Sequence, residues 1–118
     1  MKQSIVHSSA APAAIGPYSQ GVICNAARML YCSGQVALVP GDDDPARILE
    51  HGDVRAQTEQ VMKNIAAVLA AGGASFAEVV KTTIFLTDLK DFAVVNEVYG
   101  RHFGAAPPAR STVQVAAL

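Results

Sequence analysis

The sequence is poor in charge, and no stretch of it is strongly basic. Lys and Arg together number 9, Asp and Glu number 10, and the formal net charge is −1 at pH 7. Proteins bind nucleic acids through several basic contacts to phosphates, and they bind single strands through aromatic stacking platforms. The sequence indicates neither feature, so we expect no nucleic-acid partner.

Long apolar runs are also missing. No stretch approaches the roughly 20 apolar residues that a membrane-spanning helix needs. The first residues, Met1 to His7, lack the apolar core and small-residue cleavage site of a signal peptide. We therefore expect no membrane association and a cytoplasmic location.

Cysteine and histidine are too few and too widely spaced to predict a metal site. Cys24 and Cys32 do not form a C-x-x-C pair, and no two histidines stand at H-x-H or H-x-x-x-H spacing. The run Asp42-Asp43-Asp44 lacks the alternating ligands and closing glutamate of a calcium loop, and we interpret it as a solvated turn. We expect no metal, and we expect both cysteines to be thiols that act as small core hydrophobes.

What the sequence does contain is enough apolar material for one core. Of its 118 residues, 51% are apolar. A chain of this length suits one domain and is too short for two. We predict a single domain over residues 1–118, with no internal repeat and no linker.

Strand patterns dominate the first third of the chain. We predict a short strand at Ser4–Val6, followed by an Ala- and Pro-rich run that is too punctuated for a helix. A hairpin should follow, formed by Val22–Asn25 and Met29–Ser33. Its connection, Asn25 to Arg28, lacks the Asn-Gly pair that favours a tight turn.

Helices and strands alternate in the second half. The clearest helix is Asp53–Ala71, in which Asp53 is placed to cap the start and Gly72-Gly73 to end the helix. Ser75–Glu78 matches a capping box and predicts a single helical turn. Val79–Leu86 is rich in β-branched residues and apolar on both parities, which is typical of a strand buried on both faces.

A second amphipathic helix should follow that strand. It can be capped by Asp88 or Asp91, and it should end at Gly104. Its apolar stripe consists of Phe92, Val95, Tyr99 and Phe103. Asn96 adjoins the stripe, either as an ordinary polar flank or as a hydrogen-bonding partner for a ligand. The alternating segment Ser111–Val115 predicts the last strand.

These elements predict an α+β fold. If both crossovers are right-handed and move the same way along a mixed sheet, both helices cover the same face. The opposite face carries either the parity of Val79 and Phe85 or the alternate parity, and in both cases it is too apolar to remain in water. We therefore expect identical subunits to pack sheet against sheet and to close a symmetric ring.

Arg110 is the first candidate for a functional residue because it stands where a loop becomes a strand. Pro107 and Pro108 fix the backbone before it and exclude a helix. The planar guanidinium can bind a carboxylate through two parallel hydrogen bonds. The alternative interpretation is an ordinary solvated arginine on the surface.

Two further positions can carry function. Tyr18 follows the turn at Gly16-Pro17, and its phenol either reaches a site or covers a sheet edge. Gly34 ends a predicted strand, where it either lets a ligand approach the backbone or forms a plain bulge.

Several short motifs stand in a fixed order along nearly the whole chain. They are Gly16-Pro17-Tyr18-Ser19-Gln20, Ser33-Gly34-Gln35, Gln57-Thr58, Asn64-Ile65, Val80-Lys81-Thr82-Thr83, Asp91-Phe92, Asn96, Tyr99 and Pro108-Ala109-Arg110-Ser111. Each motif alone is weak, but the ordered set is specific. With this set the chain resembles the reactive-intermediate deaminase (RidA) family, also called L-PSP endoribonuclease-like proteins.

The resemblance implies both a fold and an activity. The fold is a chorismate-mutase-like mixed sheet with two helices on one face, assembled as a homotrimer around a central β-barrel, with clefts between subunits. The activity is hydrolysis of reactive 2-enamino and 2-imino acids, such as 2-aminoacrylate, 2-aminocrotonate and their imines, to 2-keto acids and ammonia. No metal or organic cofactor is implied.

The resemblance also implies roles for single residues. Arg110 matches the family arginine that clamps the substrate carboxylate, and Tyr18, Ser33 and Asn96 match positions that line the cleft. Tyr18, or the backbone near Gly34, would hold the imine nitrogen or the attacking water.

The sequence departs from the family pattern in two places. Thr112 stands where many relatives have cysteine. The pattern also continues beyond Leu118 into a final strand with a glutamate that is thought to activate water, and this sequence contains neither. The alternative interpretation is therefore a non-catalytic module that binds small 2-keto or amino acid carboxylates. A ribonuclease, as the older family name suggests, would need the basic groove that this sequence lacks.

Overall fold

The computed structural model describes residues 2–41 and 52–118, which contain four strands and two α-helices. In chain order these elements are β1 (Lys2–Val6), β2 (Gly21–Asn25), α1 (Val54–Ala71), β3 (Lys81–Leu86), α2 (Phe92–Gly100) and β4 (Ala109–Gln114). The predicted acidic turn at residues 42–44 lies outside the described residues.

Helix α1 confirms the clearest prediction from the sequence. Asp53 is its N-cap, and the carboxylate accepts a hydrogen bond from the Ala56 N–H at 3.0 Å. The helix ends at Gly72-Gly73, where Gly73 adopts a φ of +78° that a side chain would disfavour. Met62 and Leu69 form its buried side.

The capping box after α1 is also confirmed. The Ser75 hydroxyl accepts from the Ala77 N–H at 3.3 Å, and the Glu78 carboxylate accepts from the Ser75 N–H at 2.6 Å. Hydrogen bonds to the Glu78 carboxylate, first from the Ser75 backbone N–H and then from the Ser75 hydroxyl at 2.9 Å, hold the pKa of Glu78 below its ordinary value. The box encloses one 3-10 turn, Phe76–Glu78.

Strands β3 and β4 are parallel neighbours, with α2 between them in sequence. In their register Thr82 lies opposite Arg110, and Phe85 lies opposite Val113. Strand β3 begins at Lys81, two residues later than predicted. The Val79 N–H still bonds to the Phe76 carbonyl at 3.2 Å, as part of the preceding turn.

Helix α2 is shorter than predicted. It ends at Gly100 instead of Gly104, because the chain tightens into turns closed by bonds to the third preceding residue. The His102 N–H bonds to the Tyr99 carbonyl at 3.1 Å, and the Phe103 N–H bonds to the Gly100 carbonyl at 3.3 Å. A salt bridge connects the two helices, since Glu97 of α2 lies 2.9 Å from Arg55 of α1, and Glu97 also lies 2.9 Å from Arg101 at the end of α2.

The predicted hairpin between Val22–Asn25 and Met29–Ser33 is wrong. Strand β2 pairs instead with β1, antiparallel, and Met29–Ser33 forms no strand. A tight hairpin turn needs residues with positive φ, and no residue other than glycine in the described segments has one. The connection Asn25 to Arg28 contains no glycine, so it cannot form a tight two-residue turn of this kind.

Cys32 lies in the segment Met29–Ser33, which forms no strand, so its environment differs from the predicted one. Cys24 on β2 is half-buried, whereas Cys32 is exposed. The expectation that both act as core hydrophobes is therefore wrong for Cys32.

The described strands form two small sheets instead of one mixed sheet. A single parallel bridge, between Ser19 and Ala109, connects the segment before β2 to the start of β4. The Ser19 N–H bonds to the Pro108 carbonyl at 3.0 Å, and the Ser19 hydroxyl donates to the Pro107 carbonyl. Pro107 and Pro108 have no N–H, so the pairing cannot extend from this bridge toward the prolines.

The core lies between the two helices and one face of the β3–β4 sheet. Its most buried apolar side chains are Ala37, Met62, Leu69, Leu86, Val95, Val98 and Tyr99. The opposite face of the sheet is open within one chain, since Phe85 is 52% exposed and its neighbour Val113 is 41% exposed. Burial of β3 on both faces is thus not achieved within a single chain. Neither α1 nor α2 has the length and apolarity to cross a membrane.

Leu69 on α1 and Leu89 in the turn before α2 differ in exposure, which predicts different contributions to stability. Leu69 is 6% exposed and Leu89 is 47% exposed. Leu69→Ala should lower the free energy of unfolding by about 2–5 kcal/mol, because it removes buried methyl groups and leaves a cavity. Leu89→Ala, the matched control, should cost less than half as much. Urea denaturation measures both, and equal losses would contradict this description of the core.

Candidate functional site

The candidate site is built around the guanidinium of Arg110. The residue is the second of β4 and is half-buried. Its Nη1 donates a hydrogen bond to the Asn96 side-chain oxygen at 2.7 Å. A bond from a charged donor is stronger than one between neutral groups, so it fixes the direction in which the guanidinium points.

Three aromatic rings surround the same guanidinium. Its carbon Cζ lies 5.1 Å from the ring centre of Tyr18, 5.4 Å from that of Phe92 and 5.1 Å from that of Tyr99. Such distances allow cation–π attraction. Burial lowers the pKa of Arg110, but an arginine remains a cation at neutral pH.

Helix α2 supplies much of this environment through one of its faces. Phe92, Asn96 and Tyr99 stand at positions i, i+4 and i+7, which share a helix face. The Tyr99 hydroxyl shares a hydrogen bond of 2.7 Å with the hydroxyl of Thr82, which lies opposite Arg110 in the sheet. This bond ties the helix to the strand beside the guanidinium. Burial is the main cause that raises the pKa of the Tyr99 phenol.

The segment from Ile15 to Ser19 also contributes to the surroundings of the guanidinium, through Tyr18. The Tyr18 N–H bonds to the Gly16 carbonyl at 2.8 Å, and the Ile15 N–H donates to the Tyr18 hydroxyl oxygen at 3.3 Å. Because Ser19 is bonded to the two prolines that precede β4, this turn is held against the strand that carries Arg110.

The cation has no counter-ion among residues 2–41 and 52–118. Its partners there are one amide and three rings, and no carboxylate in those segments forms a salt bridge with it. Nη2 and Nε therefore have no hydrogen-bond partner within those segments. A half-buried cation of this kind can bind an anion, and its fork geometry suits a carboxylate.

The structure brings together three of the five residues selected from the sequence. Tyr18, Asn96 and Arg110 are in mutual reach, as described above. Gly34 instead lines a shallow cavity beside Asn64, and Ser33 precedes it on the exposed surface. Within one chain these two residues belong to a different region. No group of three metal-ligating side chains occurs in the described part of the chain.

Sequence reasoning missed the contribution of three residues. Phe92 and Tyr99 were assigned to an apolar helix stripe, and Gly16 was assigned to a turn. The i, i+4, i+7 spacing of Phe92, Asn96 and Tyr99 was the available signal. That spacing does not show that this helix face packs on the strand that carries Arg110. It therefore could not predict a contact with the guanidinium.

Comparisons with known proteins agree on one family. The family model described as Endoribonuclease L-PSP matches residues 8–118. Among curated proteins, the chain is 58% identical to Protein DfrA of Myxococcus xanthus over 100% of this chain and 87% of that protein. It is 47% identical to Reactive Intermediate Deaminase A, chloroplastic, of Arabidopsis thaliana, and spans 60% of that protein and 100% of its own length. It is 44% identical to the 2-iminobutanoate/2-iminopropanoate deaminase of Mus musculus, covering 98% of this chain and 82% of the mouse protein.

Solved structures give the same result for the fold. RidA from an Antarctic Psychrobacter species aligns with a TM-score of 0.67 at 42% identity, over 98% of this chain and 88% of that one. TdcF of E. coli with bound serine aligns with a TM-score of 0.66 at 39% identity, over 98% and 87% of the two chains. The small α+β fold of two helices and two small sheets therefore matches those of its structural neighbours.

The buried Tyr99 phenol predicts a loss of stability at alkaline pH. Unfolded tyrosine loses its proton near pH 10, whereas the raised pKa of Tyr99 keeps the folded phenol protonated to higher pH. Between these values the unfolded state binds fewer protons, so stability falls as the pH rises. Urea denaturation at about pH 8 and about pH 11 should show a larger fall for the wild type than for Tyr99→Phe.

The same variant should also be less stable at the lower pH. Without the tyrosine hydroxyl, Thr82 loses its partner, at a cost of about 1–3 kcal/mol. A fall of equal size in both proteins between the two pH values would contradict a buried, proton-retaining Tyr99.

Proposed function

Because the chain belongs to the Endoribonuclease L-PSP family, in which it has relatives named reactive intermediate deaminase, we propose that it hydrolyses reactive 2-imino acids to 2-keto acids and ammonia. The observation that carries this proposal is the half-buried guanidinium of Arg110, which is oriented by Asn96 and has no carboxylate partner in the described segments. A 2-imino acid provides the missing carboxylate.

In this proposal Arg110 binds the substrate carboxylate through the nitrogens that Asn96 leaves free. The clamp fixes the substrate by its acid end, so the adjacent imine carbon is held in one orientation for an attacking water. Fixing the substrate in this way lowers the entropic part of the barrier. The surrounding rings of Tyr18, Phe92 and Tyr99 displace water and strengthen the attraction between the two charges.

The reaction needs one water molecule and two proton transfers to nitrogen. Water adds to the imine carbon and a C–O bond forms, while the C=N electron pair passes to the nitrogen. The nitrogen takes up one proton and the added water loses one, which gives the carbinolamine. The carbinolamine nitrogen then takes up a second proton and leaves as ammonia, while the hydroxyl loses its proton and the C=O bond forms, so imine and water give keto acid and ammonia. Tyr18 is the proposed proton donor, because its oxygen accepts from the Ile15 N–H and its own O–H has no acceptor among residues 2–41 and 52–118.

The proposed substrates are small. They are 2-aminoacrylate and 2-aminocrotonate with their imine tautomers, which pyridoxal-phosphate dehydratases release from serine and threonine. The mouse relative is named for the imines of this group, and the name of the E. coli structure records bound serine. No cofactor enters the proposed reaction.

We also propose that the active form is a homotrimer with a central β-barrel. The open face of the β3–β4 sheet, with Phe85 opposite Val113, supports burial against another copy of the chain. In such an assembly Ser33 and Gly34, which lie away from Arg110 within one chain, could line the cleft from a neighbouring subunit.

A second candidate function is binding without turnover. It is favoured by the nature of the described groups in contact with the guanidinium, which are one amide and three aromatic rings and include no carboxylate or imidazole that could act as a general base on water. A module of this kind would bind small 2-keto or amino acid carboxylates through the same guanidinium.

Replacement of Arg110 tests the proposed function. Arg110→Ala should abolish hydrolysis of 2-iminopropanoate, and Arg110→Lys should recover little, because one point charge cannot replace a planar fork. Arg101→Ala, which removes an exposed arginine paired with glutamates, is the control and should keep the wild-type rate. Ammonia release measures the reaction, and calorimetry with 2-ketobutyrate measures binding.

Three outcomes are distinct in this experiment. Hydrolysis that depends on Arg110 supports the deaminase. Binding that depends on Arg110 without hydrolysis by the wild type selects the binding module. Hydrolysis by Arg110→Ala at the wild-type rate contradicts the assignment of the site.

The proposed assembly predicts the mass of the particle in solution. Light scattering at micromolar concentration should give three times the mass of the chain, because the open sheet face is too apolar to remain exposed. Phe85→Asp should lower that mass by placing a charge in the interface, whereas Lys90→Asp, on the exposed turn before α2, should not. A monomeric wild type would contradict the assembly.

A further inference from the structure

The guanidinium of Arg110 has one occupied side and one open side. Nη1 is bonded to the Asn96 oxygen at 2.7 Å. Nη2 has no hydrogen-bond partner among the described residues, and it lies beside Gly16. A methyl group added there would lie 3.3 Å from Nη2. The open side of the fork thus faces a residue that has no side chain.

The backbone does not require glycine at this position. Gly16 is not among the glycines with positive φ, so an alanine could adopt the same backbone conformation without strain. A side chain at position 16 would contact residues of the candidate site. The added methyl carbon would lie 3.6 Å from Asn96 Nδ2 and 3.7 Å from Tyr18 Cδ1, in addition to its contact with Arg110. Three groups of the site therefore converge on the space that the missing side chain leaves.

We infer that Gly16 is a specificity-determining residue, whose bare backbone leaves the space in which the ligand carboxylate reaches Nη2 of Arg110. This inference rests on the proposed function of the site as a carboxylate clamp. Asn96 holds Nη1, so the guanidinium cannot turn its other side to the ligand without breaking that bond. A carboxylate oxygen that approaches Nη2 beside the glycine would pass over its bare backbone, and any side chain at position 16 would reduce the space available to it.

The direct test is the pair Gly16→Ala and Gly104→Ala. Gly104 is the matched control because it also lacks positive φ and an added methyl group there would meet no atom within 4 Å. Gly16→Ala should raise the KM for 2-iminopropanoate and the Kd for 2-ketobutyrate by about 10-fold to 100-fold, as expected for losing one hydrogen bond to a charged group. The kcat should stay within about twofold of the wild-type value, since bound substrate still meets the same proton donor. Gly104→Ala should match the wild type in both constants.

A double-mutant cycle separates this role from a simple distortion of the turn. In Asn96→Ala, Nη1 is released and the guanidinium can present a second nitrogen, so adding Gly16→Ala should then weaken binding at least threefold less than it does alone. Strictly additive effects would mean that the alanine acts by disturbing the turn, and they would overturn the inference.

A test on the unmodified protein covers the case in which Gly16→Ala folds poorly. Propanesulfonate has a tetrahedral anion with a third oxygen, whereas butanoate of similar length ends in a planar carboxylate. If the space beside Gly16 is the limit, calorimetry should show the sulfonate binding at least about 10-fold more weakly. Equal affinities would overturn the inference.

These outcomes also separate the inference from the proposed function. If the wild type neither hydrolyses the imine nor binds 2-ketobutyrate, both fail. If the wild type does either and Gly16→Ala behaves like Gly104→Ala, only the role of Gly16 fails.

Discussion

The bond between Arg110 and Asn96 is the interaction on which the site depends. It withdraws one nitrogen of a half-buried cation from use and leaves the others without a partner in the described segments. Partial burial of an unpaired charge is unfavourable unless something compensates. Three rings supply part of that compensation through cation–π contacts. An anionic ligand would supply the remainder, and this is the physical reason for regarding the site as a receptor for a carboxylate.

The fold places these groups by connecting a helix face to a strand. The β3–α2–β4 unit brings one side of α2 onto the strand that carries Arg110, and the bond from Tyr99 to Thr82 fixes their relative position. The turn at Gly16 is attached to the same strand through Ser19 and the prolines before β4. Three separate parts of the sequence thus meet at one guanidinium. Small shifts of any of them would change the geometry of the clamp.

Local signals in the sequence predicted most of the helical structure and part of the site. The cap at Asp53 and the box at Ser75 depend on neighbouring residues only, and both are confirmed. The hairpin at Met29–Ser33 failed because partner choice between strands is a long-range property, and β1 paired with β2 instead. The positions of Ser33 and Gly34 depended on that hairpin. Phe92 and Tyr99 were recognised as apolar residues, but their contact with Arg110 follows from packing that a sequence pattern does not encode.

A crystal structure of the protein with 2-ketobutyrate would show whether Nη2 of Arg110 binds a carboxylate while Nη1 remains bonded to Asn96. We expect a carboxylate oxygen about 2.7–2.9 Å from Nη2 of Arg110, next to Gly16, with the bond to Asn96 intact. A ligand bound elsewhere, with the guanidinium turned into bulk solvent, would contradict it.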